Sequence, residues 1–288
     1  MKLIRKLIRF IDWGIDELLW FCLKPIIKLV NQRFPCLTFS IGISTFMDRF
    51  DNCFRPLLKK ISLLFPRCQI IVIANGHVKY KEQTNYLIKI ADFCKLFSNV
   101  ELISYSEPKG LSYLWNKIIH ASKHNKILIM NDDIKIKNNF PYFINKTGLI
   151  KEDIATINLS WSHFLISKEI IKKVGLFDEG FQELGGEDDD YAARLAMAEI
   201  PVRNFTTNTI ASKLRRKRKL TKINSYGKDM NYEKNGYSNI NSEYLKAKWE
   251  MSMEPFEGAI KVPDRSMKYW RLKSNYKNVI TNTNNDTK

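Results

Sequence analysis

Residues 126–133 read K-I-L-I-M-N-D-D, four large apolar side chains in a row followed by an amide and two carboxylates. An apolar run of strand length that stops in turn chemistry predicts a buried strand, Lys126–Met130, ending in the polar turn Asn131-Asp132-Asp133. Working outward, the β-branched runs Leu37–Thr45, Gln69–Ala74 and Val100–Ser104 predict three more strands. The stretches between them, Phe54–Phe65, Tyr80–Phe97 and Leu111–Lys123, carry helical periodicity. Strand and helix alternating in this way predict an α/β fold, a mostly parallel sheet flanked by helices. Ligands of such sheets bind beyond the carboxyl ends of the strands. Asn75-Gly76 and Asn131-Asp132-Asp133 both end strands, so both are expected to open into one crevice.

The second half is less regular. Strands are predicted at Ile154–Ser160 and His163–Ser167, and helices at Lys168–Val174, Asp188–Ala198 and near Ser242–Met251. Val174–Arg194 reads V-G-L-F-D-E-G-F-Q-E-L-G-G-E-D-D-D-Y-A-A-R and sets Glu187, Asp188, Asp189 and Asp190 beside two glycines. Four adjacent carboxylates repel one another and raise one another's pKa, so a folded chain keeps them with a cation, a proton or a substrate hydroxyl to manage. A helix N-terminus also favours them. Two acidic spots in a basic chain suggest a metal-assisted transferase.

The 288 residues can bury a full α/β core, and 44% hydrophobic content is globular. The net charge of +17 calls for an anionic partner: phosphorylated ligands, an acidic membrane or nucleic acid. The five cysteines are odd in number and form no C-x-x-C pair, so neither a disulfide framework nor a thiolate metal site is indicated, and a reducing cytosol fits best. The four histidines are scattered, so any metal falls to carboxylates, and oxygen ligands favour Mg²⁺ or Mn²⁺ over zinc. Three regions are expected: 1–34, an amphipathic helix; 35–211, the α/β catalytic domain; and 212–288, a basic loop with a helical extension.

In residues 2–30, Leu3, Ile4, Leu7, Ile8, Ile11, Ile15, Leu18 and Leu19 recur at three- and four-residue spacing, with Lys2, Arg5, Lys6 and Arg9 on the other side. Charges interrupt the pattern too often for a run of about 20 apolar residues, which argues against a membrane span. The expected role is a helix lying in an anionic membrane surface, making the protein cytoplasmic and peripheral on the cytosolic face. Docking on the protein's own core or on a second subunit is the alternative.

These residues resemble the family 2 glycosyltransferases of the glycosyltransferase A fold, which is Rossmann-like and uses nucleotide sugars. The resemblance spans roughly Thr38–Pro201 and rests on parts in a set order: T-F-S-I-G-I-S-T-F-M-D-R-F, I-I-V-I-A-N-G-H, G-L-S-Y-L-W-N-K-I-I-H-A, I-L-I-M-N-D-D-I, V-G-L-F-D-E-G-F and G-G-E-D-D-D-Y-A-A-R. It implies that Asn131-Asp132-Asp133 stands where the family has its D-x-D metal motif. Asp133 is then the ligand of Mn²⁺ or Mg²⁺ with Asn131 beside it, and Asp132 is a donor contact. It also implies that Asp188 is the general base that deprotonates the acceptor hydroxyl, with Glu187 next to it, for transfer with inversion. Donor contacts are expected from Thr45, Asn75, Asn116, Arg194 and, in the run K-L-R-R-K-R-K, Lys213 and Arg215. Acceptor contacts are expected from Trp161, His163 and Gly186, with a core role for Trp161 the alternative. The implied partners are a nucleotide-diphosphate sugar and a glycan or lipid-linked acceptor.

Two other classes remain open at this level. Asn131 and Asn75 in place of aspartates allow a catalytically silent protein of this fold that binds glycans or acts as a scaffold. The run Lys213–Lys219 is an unspecific nucleic-acid signature, and no DNA- or RNA-binding fold accompanies it. A nucleotidyltransferase is the nearest competing enzyme, and it leaves the Gly-Gly-Glu-Asp region unexplained.

Overall fold

The computed structural model describes residues 11–23, 25–26, 39–77, 80–182, 185–212, 239–250 and 271–272. Residues 2–10 of the N-terminal pattern and the basic run with Lys213 and Arg215 lie outside them. In chain order the elements are α1 (residues 11–23), β1 (Phe39–Thr45), α2 (Arg55–Leu64), β2 (Gln69–Ala74), α3 (Tyr80–Cys94), β3 (Val100–Ser104), α4 (Leu111–Ala121) and β4 (Lys126–Asn131). There follow β5 (Ile134–Ile136), α5 (Phe140–Thr147), β6 (Ile154–Ile157), β7 (Ser160–Ser167), α6 (Lys168–Val174) and α7 (Glu187–Met197). The last are β8 (Arg203–Phe205), β9 (Ile210–Ser212), α8 (Asn239–Lys248), β10 (Trp249–Glu250) and β11 (Arg271–Leu272).

Seven strands form one sheet in the order β3-β2-β1-β4-β7-β6-β8. The neighbours from β3 to β4 are parallel, β7 is antiparallel to both β4 and β6, and β8 is parallel to β6. Helices cover both faces, so the mostly parallel α/β architecture expected from the sequence is what forms. Alternation along the strands explains the two cores. Phe39, Ile41, Ile43, Val72, Leu128 and Met130 face one core with α2, α3 and α5. Ile71, Ile73, Ile127, Ile129, Phe164 and Ile166 face the other with α4, α6 and α7. Gly42 lies on that second face because a Cβ there would sit 2.1 Å from Ile118 Cγ2 of α4.

Several local features were not anticipated, among them α5 and β8. The strand expected to run to Ser160 stops at Ile157, because Asn158 and Leu159 turn the chain with φ of 57° and 55°. Two successive positive φ values are the two-residue hairpin turn that matches strand twist. It is held by Leu159 N donating to Asn204 Oδ1 at 2.7 Å and Thr207 N donating to Asn158 Oδ1 at 2.8 Å. After β1, a 3-10 turn (Met47–Arg49) and a π turn (Phe50–Phe54) precede α2. The short strands β5 and β9 pair antiparallel just beyond the Asn131-Asp132-Asp133 turn. The C-terminal helix begins at Asn239 rather than Ser242 and gives way at Trp249 to β10, which pairs with β11.

Candidate active site

Asp132 anchors the first half of the site. β1 and β4 are parallel neighbours with Ser44 opposite Asn131, so Thr45 reaches the turn that follows β4. Thr45 Oγ1 donates to Asp132 Oδ2 at 2.7 Å, and Arg49 Nη1 donates to Asp132 Oδ1 at 2.9 Å. Asp132 is 1% exposed. Burial pushes its carboxyl up, and the Arg49 charge works against that. Burial in turn disfavours the guanidinium, but Asp132 and Asp133 outweigh it and hold the Arg49 pKa above its ordinary value. Arg49 thus stands as a built-in cation between two carboxylates. Sequence reading passed over it, and only its place in the tight turn after β1 pointed to it.

At the end of β2, Asn75 Nδ2 donates to Lys109 O at 3.0 Å and Lys109 N donates to Asn75 Oδ1 at 2.9 Å. The side chain expected to meet the donor therefore clamps the segment that leads into α4. Gly76 permits that closeness, since a Cβ would lie 2.0 Å from the Glu107 carbonyl carbon.

The second half is built on α7. Gly185 and Gly186 both have φ of 91°, a conformation that side chains resist, and Gly186 is the N-cap. Glu187, Asp188, Asp189 and Asp190 fill the first turn, where the helix dipole favours negative charge. Asp190 is fully paired: Arg194 Nε donates at 2.9 Å, Trp249 Nε1 at 2.9 Å, and Lys248 Nζ lies at 2.6 Å. Lys248 also bridges to Asp178. Glu187 is 4% exposed, and its Oε2 finds no partner among the described residues. Burial, then the charge of Asp188, push the Glu187 carboxyl well up. Burial likewise raises Asp188 to about 6, opposed by backbone hydrogen bonds. Asp188 is the one of the four that keeps partial access to solvent.

Both halves lie toward the carboxyl edge of the sheet. β7 starts where β4 finishes, with His163 opposite Met130. Trp161 on β7 meets the Tyr191 ring of α7 at 6.2 Å between centroids. Because α7 leads back to β8, which runs with β6 and β4, its acidic first turn points to the same edge as Asn131-Asp132-Asp133.

The structure employs several expected contacts differently. Asn116 Nδ2 donates to Phe177 O at 2.8 Å and to Glu179 at 2.9 Å, and Phe177 N donates to Asn116 Oδ1 at 3.0 Å. Arg194 Nη1 donates to the carbonyls of Val174 and Leu176 at 3.0 and 2.9 Å. Both side chains brace the 174–180 segment against α4 and α7. Arg194 neutralises Asp190, as its spacing suggested. Trp161 is 3% exposed, with its ring edge-on to Phe164, and belongs to the core. His163 is buried, which pushes its imidazole down to about 4 and keeps it neutral. Asp178, Lys248 and Trp249 were missed, because a lysine and a tryptophan some 60 residues away in sequence carry no local pattern that ties them to the acidic turn.

The residues fit a divalent cation in part. Among the described residues no group of three or more His, Cys, Asp or Glu side chains is placed to hold a metal ion. Asp132 is committed to Thr45 and Arg49, which leaves Asp133 and the Asn131 amide. One carboxylate suits Mg²⁺ or Mn²⁺ when phosphate oxygens and water supply the other ligands.

No protein-family profile matches the chain, and no curated protein matches it. Solved structures do resemble it. TarS 1–349 of S. aureus is 12% identical with a TM-score of 0.43, over 56% of each chain. The mannosyltransferase PcManGT from Pyrobaculum calidifontis, in complex with GDP-Man and Mn²⁺, is 9% identical with a TM-score of 0.46, over 71% of this chain and 66% of that one. GalNAc-T7 with UDP, GalNAc and Mn²⁺ is 13% identical with a TM-score of 0.45, over 60% of this chain and 44% of that one. The chain thus spans between under half and about two thirds of these proteins. At such scores and identities they assign neither a family nor a residue role to this chain.

Proposed function

We propose that the chain is an inverting glycosyltransferase that moves a sugar from a nucleotide-diphosphate sugar to a hydroxyl of a glycan or lipid-linked acceptor. The observation that carries this reading is the place of Asp188 in the first turn of α7, its carboxyl raised by burial to about 6. That turn points to the sheet edge where Asp132 and Asp133 follow β4. A carboxyl poised near neutrality is matched to accept a proton in the transition state.

In this reading the donor diphosphate lies over the end of β4, and Arg49, with Asp132 as its counter-charge, contributes a fixed positive charge beside it. Asp133 and Asn131 would hold a divalent cation, which when bound supplies charge stabilisation to the leaving diphosphate. Asp188 takes the proton from the acceptor oxygen as that oxygen attacks the anomeric carbon opposite the leaving group. Glu187, itself pushed toward the protonated form, keeps negative charge off its neighbour and leaves Asp188 the working base. Asp190 is excluded from the role because Arg194, Lys248 and Trp249 consume its oxygens.

The test is nucleoside-diphosphate release from a panel of nucleotide sugars with Mn²⁺ present. Release with one donor, abolished by Asp133→Ala, is expected. A panel that yields no release with any donor refutes the enzyme and favours a silent binding protein of the same fold.

A further inference from the structure

α1 is turned the opposite way to an ordinary surface helix. A helix of a globular protein usually lays its apolar stripe on the core and its charges in water. Here the acidic edge is the one that docks. Asp16 is 9% exposed and accepts from Lys60 Nζ at 2.8 Å and from Asn138 N at 2.9 Å, while Asn138 Nδ2 donates to the Asp16 carbonyl at 2.9 Å. Asp12 pairs with Lys137. The same two lysines sit over the indoles of the helix, Lys137 at 5.2 Å from the Trp13 ring and Lys60 at 5.0 Å from the Trp20 ring. Lys60 and Lys137 are themselves buried, so the body presents a basic socket to an acidic edge.

The consequence is an apolar face directed outward. Ile11, Ile15, Leu18, Leu19 and Phe21 are all exposed, Leu18 at 64% and Phe21 at 85%. A contiguous patch of this kind on a soluble body marks a protein or membrane contact. We propose that α1 is a membrane-docking element held rigidly with its apolar face outward, and that its partner is an anionic lipid surface.

Charge selects lipid over a second copy. The chain carries 47 Lys and Arg against 30 Asp and Glu, so two copies repel while an anionic surface attracts. In sequence, Ile4, Leu7 and Ile8 continue the spacing of Ile11, Ile15 and Leu18, and Lys2, Arg5, Lys6 and Arg9 fall out of that register. Among the described residues no helix is long and apolar enough to cross a membrane. The socket also fixes the site relative to the lipid. Lys137 is four residues beyond Asp133, a backbone reach of at most about 14 Å. An acceptor carried on lipid is therefore presented close to the end of β4.

Flotation of the full chain with phosphatidylglycerol–phosphatidylcholine vesicles, beside phosphatidylcholine vesicles alone, tests this. Flotation with the anionic vesicles is expected, weakened roughly tenfold or more in the Leu18→Ser, Phe21→Ser double variant at an unchanged melting temperature. Equal flotation of parent and variant, absence of flotation, or a lipid-free dimer that the double variant dissolves each overturns the proposal, the last in favour of a second copy. Asp16→Ala tests the socket: a lowered melting temperature with vesicle binding retained supports it, and an unchanged melting temperature overturns it. No turnover is measured, so these outcomes stand apart from the sugar-transfer reading.

Discussion

The Lys248 ammonium lies 2.6 Å from the Asp190 carboxylate. Asp190 lies in the first turn of α7 and Lys248 closes α8, so the C-terminal helix is tied to the turn that carries the proposed base. Asp178 and Arg194 complete a buried group of two acids and two bases. Phe181, Leu245 and Trp249 pack against it as a small core of their own. The acidic turn is thereby held by residues on three separate segments.

Removing one member of a buried ion group strands the others. Lys248→Met is expected to cost about 3 kcal/mol of stability, read by urea denaturation. A change of only a few tenths would mean that Lys248 is not the link between α8 and α7.

The raised Asp188 pKa has a definite sign. The fold favours the protonated carboxyl, so this group costs no stability below its ordinary value of 3.8 and its full cost is reached above about 6. Glu187 and Asp189 are shifted in the same direction. Asp188→Asn is therefore expected to melt higher than the parent near neutral pH, with the difference vanishing toward pH 4. Turnover runs the other way: it needs the ionised base, and should rise about tenfold per pH unit below 6 and level off above it. Calorimetric melting and initial rates across this range check both halves.

Arg49→Met leaves Asp132 buried without its counter-charge. A loss of about 3 kcal/mol is expected at neutral pH. It should shrink as the pH falls and Asp132 takes a proton, and it should be much smaller in an Asp132→Asn background. Equal losses in both backgrounds would show that Arg49 acts elsewhere.

Six of the seven sheet strands were legible from residue type because they depend on local runs, whereas β8, three residues long, was not. Gln69–Ala74 and Val100–Ser104 occur as expected, since six- and five-residue β-branched runs between helical stretches leave little choice. The order of the acidic turns along the chain was equally plain. What escaped was whatever depends on geometry between distant segments. The Asn158-Leu159 turn lacks glycine, so the positive φ of Leu159 has no sequence marker. Asn75, Asn116 and Arg194 are polar residues near the site, and sequence proximity to a motif does not distinguish a ligand contact from a brace. The inverted docking of α1 was hidden for the same reason. Periodicity reveals an apolar stripe but not which side the body holds.

Gly42→Ala probes the register of the second core. Its methyl group would press on Ile118 of α4, and a cost of about 1–3 kcal/mol is expected, read by thermal denaturation. A neutral substitution would mean that α4 moves away freely, which its burial against β1 and β2 does not allow.

The measurement that bears most directly on the central claim separates donor binding from turnover in Asp188→Asn, using nucleotide-sugar titrations followed by heat of binding and product release in the same samples. Donor affinity close to that of the parent is expected, with turnover reduced by roughly a hundredfold or more. Turnover equal to the parent, or loss of donor binding with the remaining turnover proportionate to it, would contradict the assignment of Asp188 as the base.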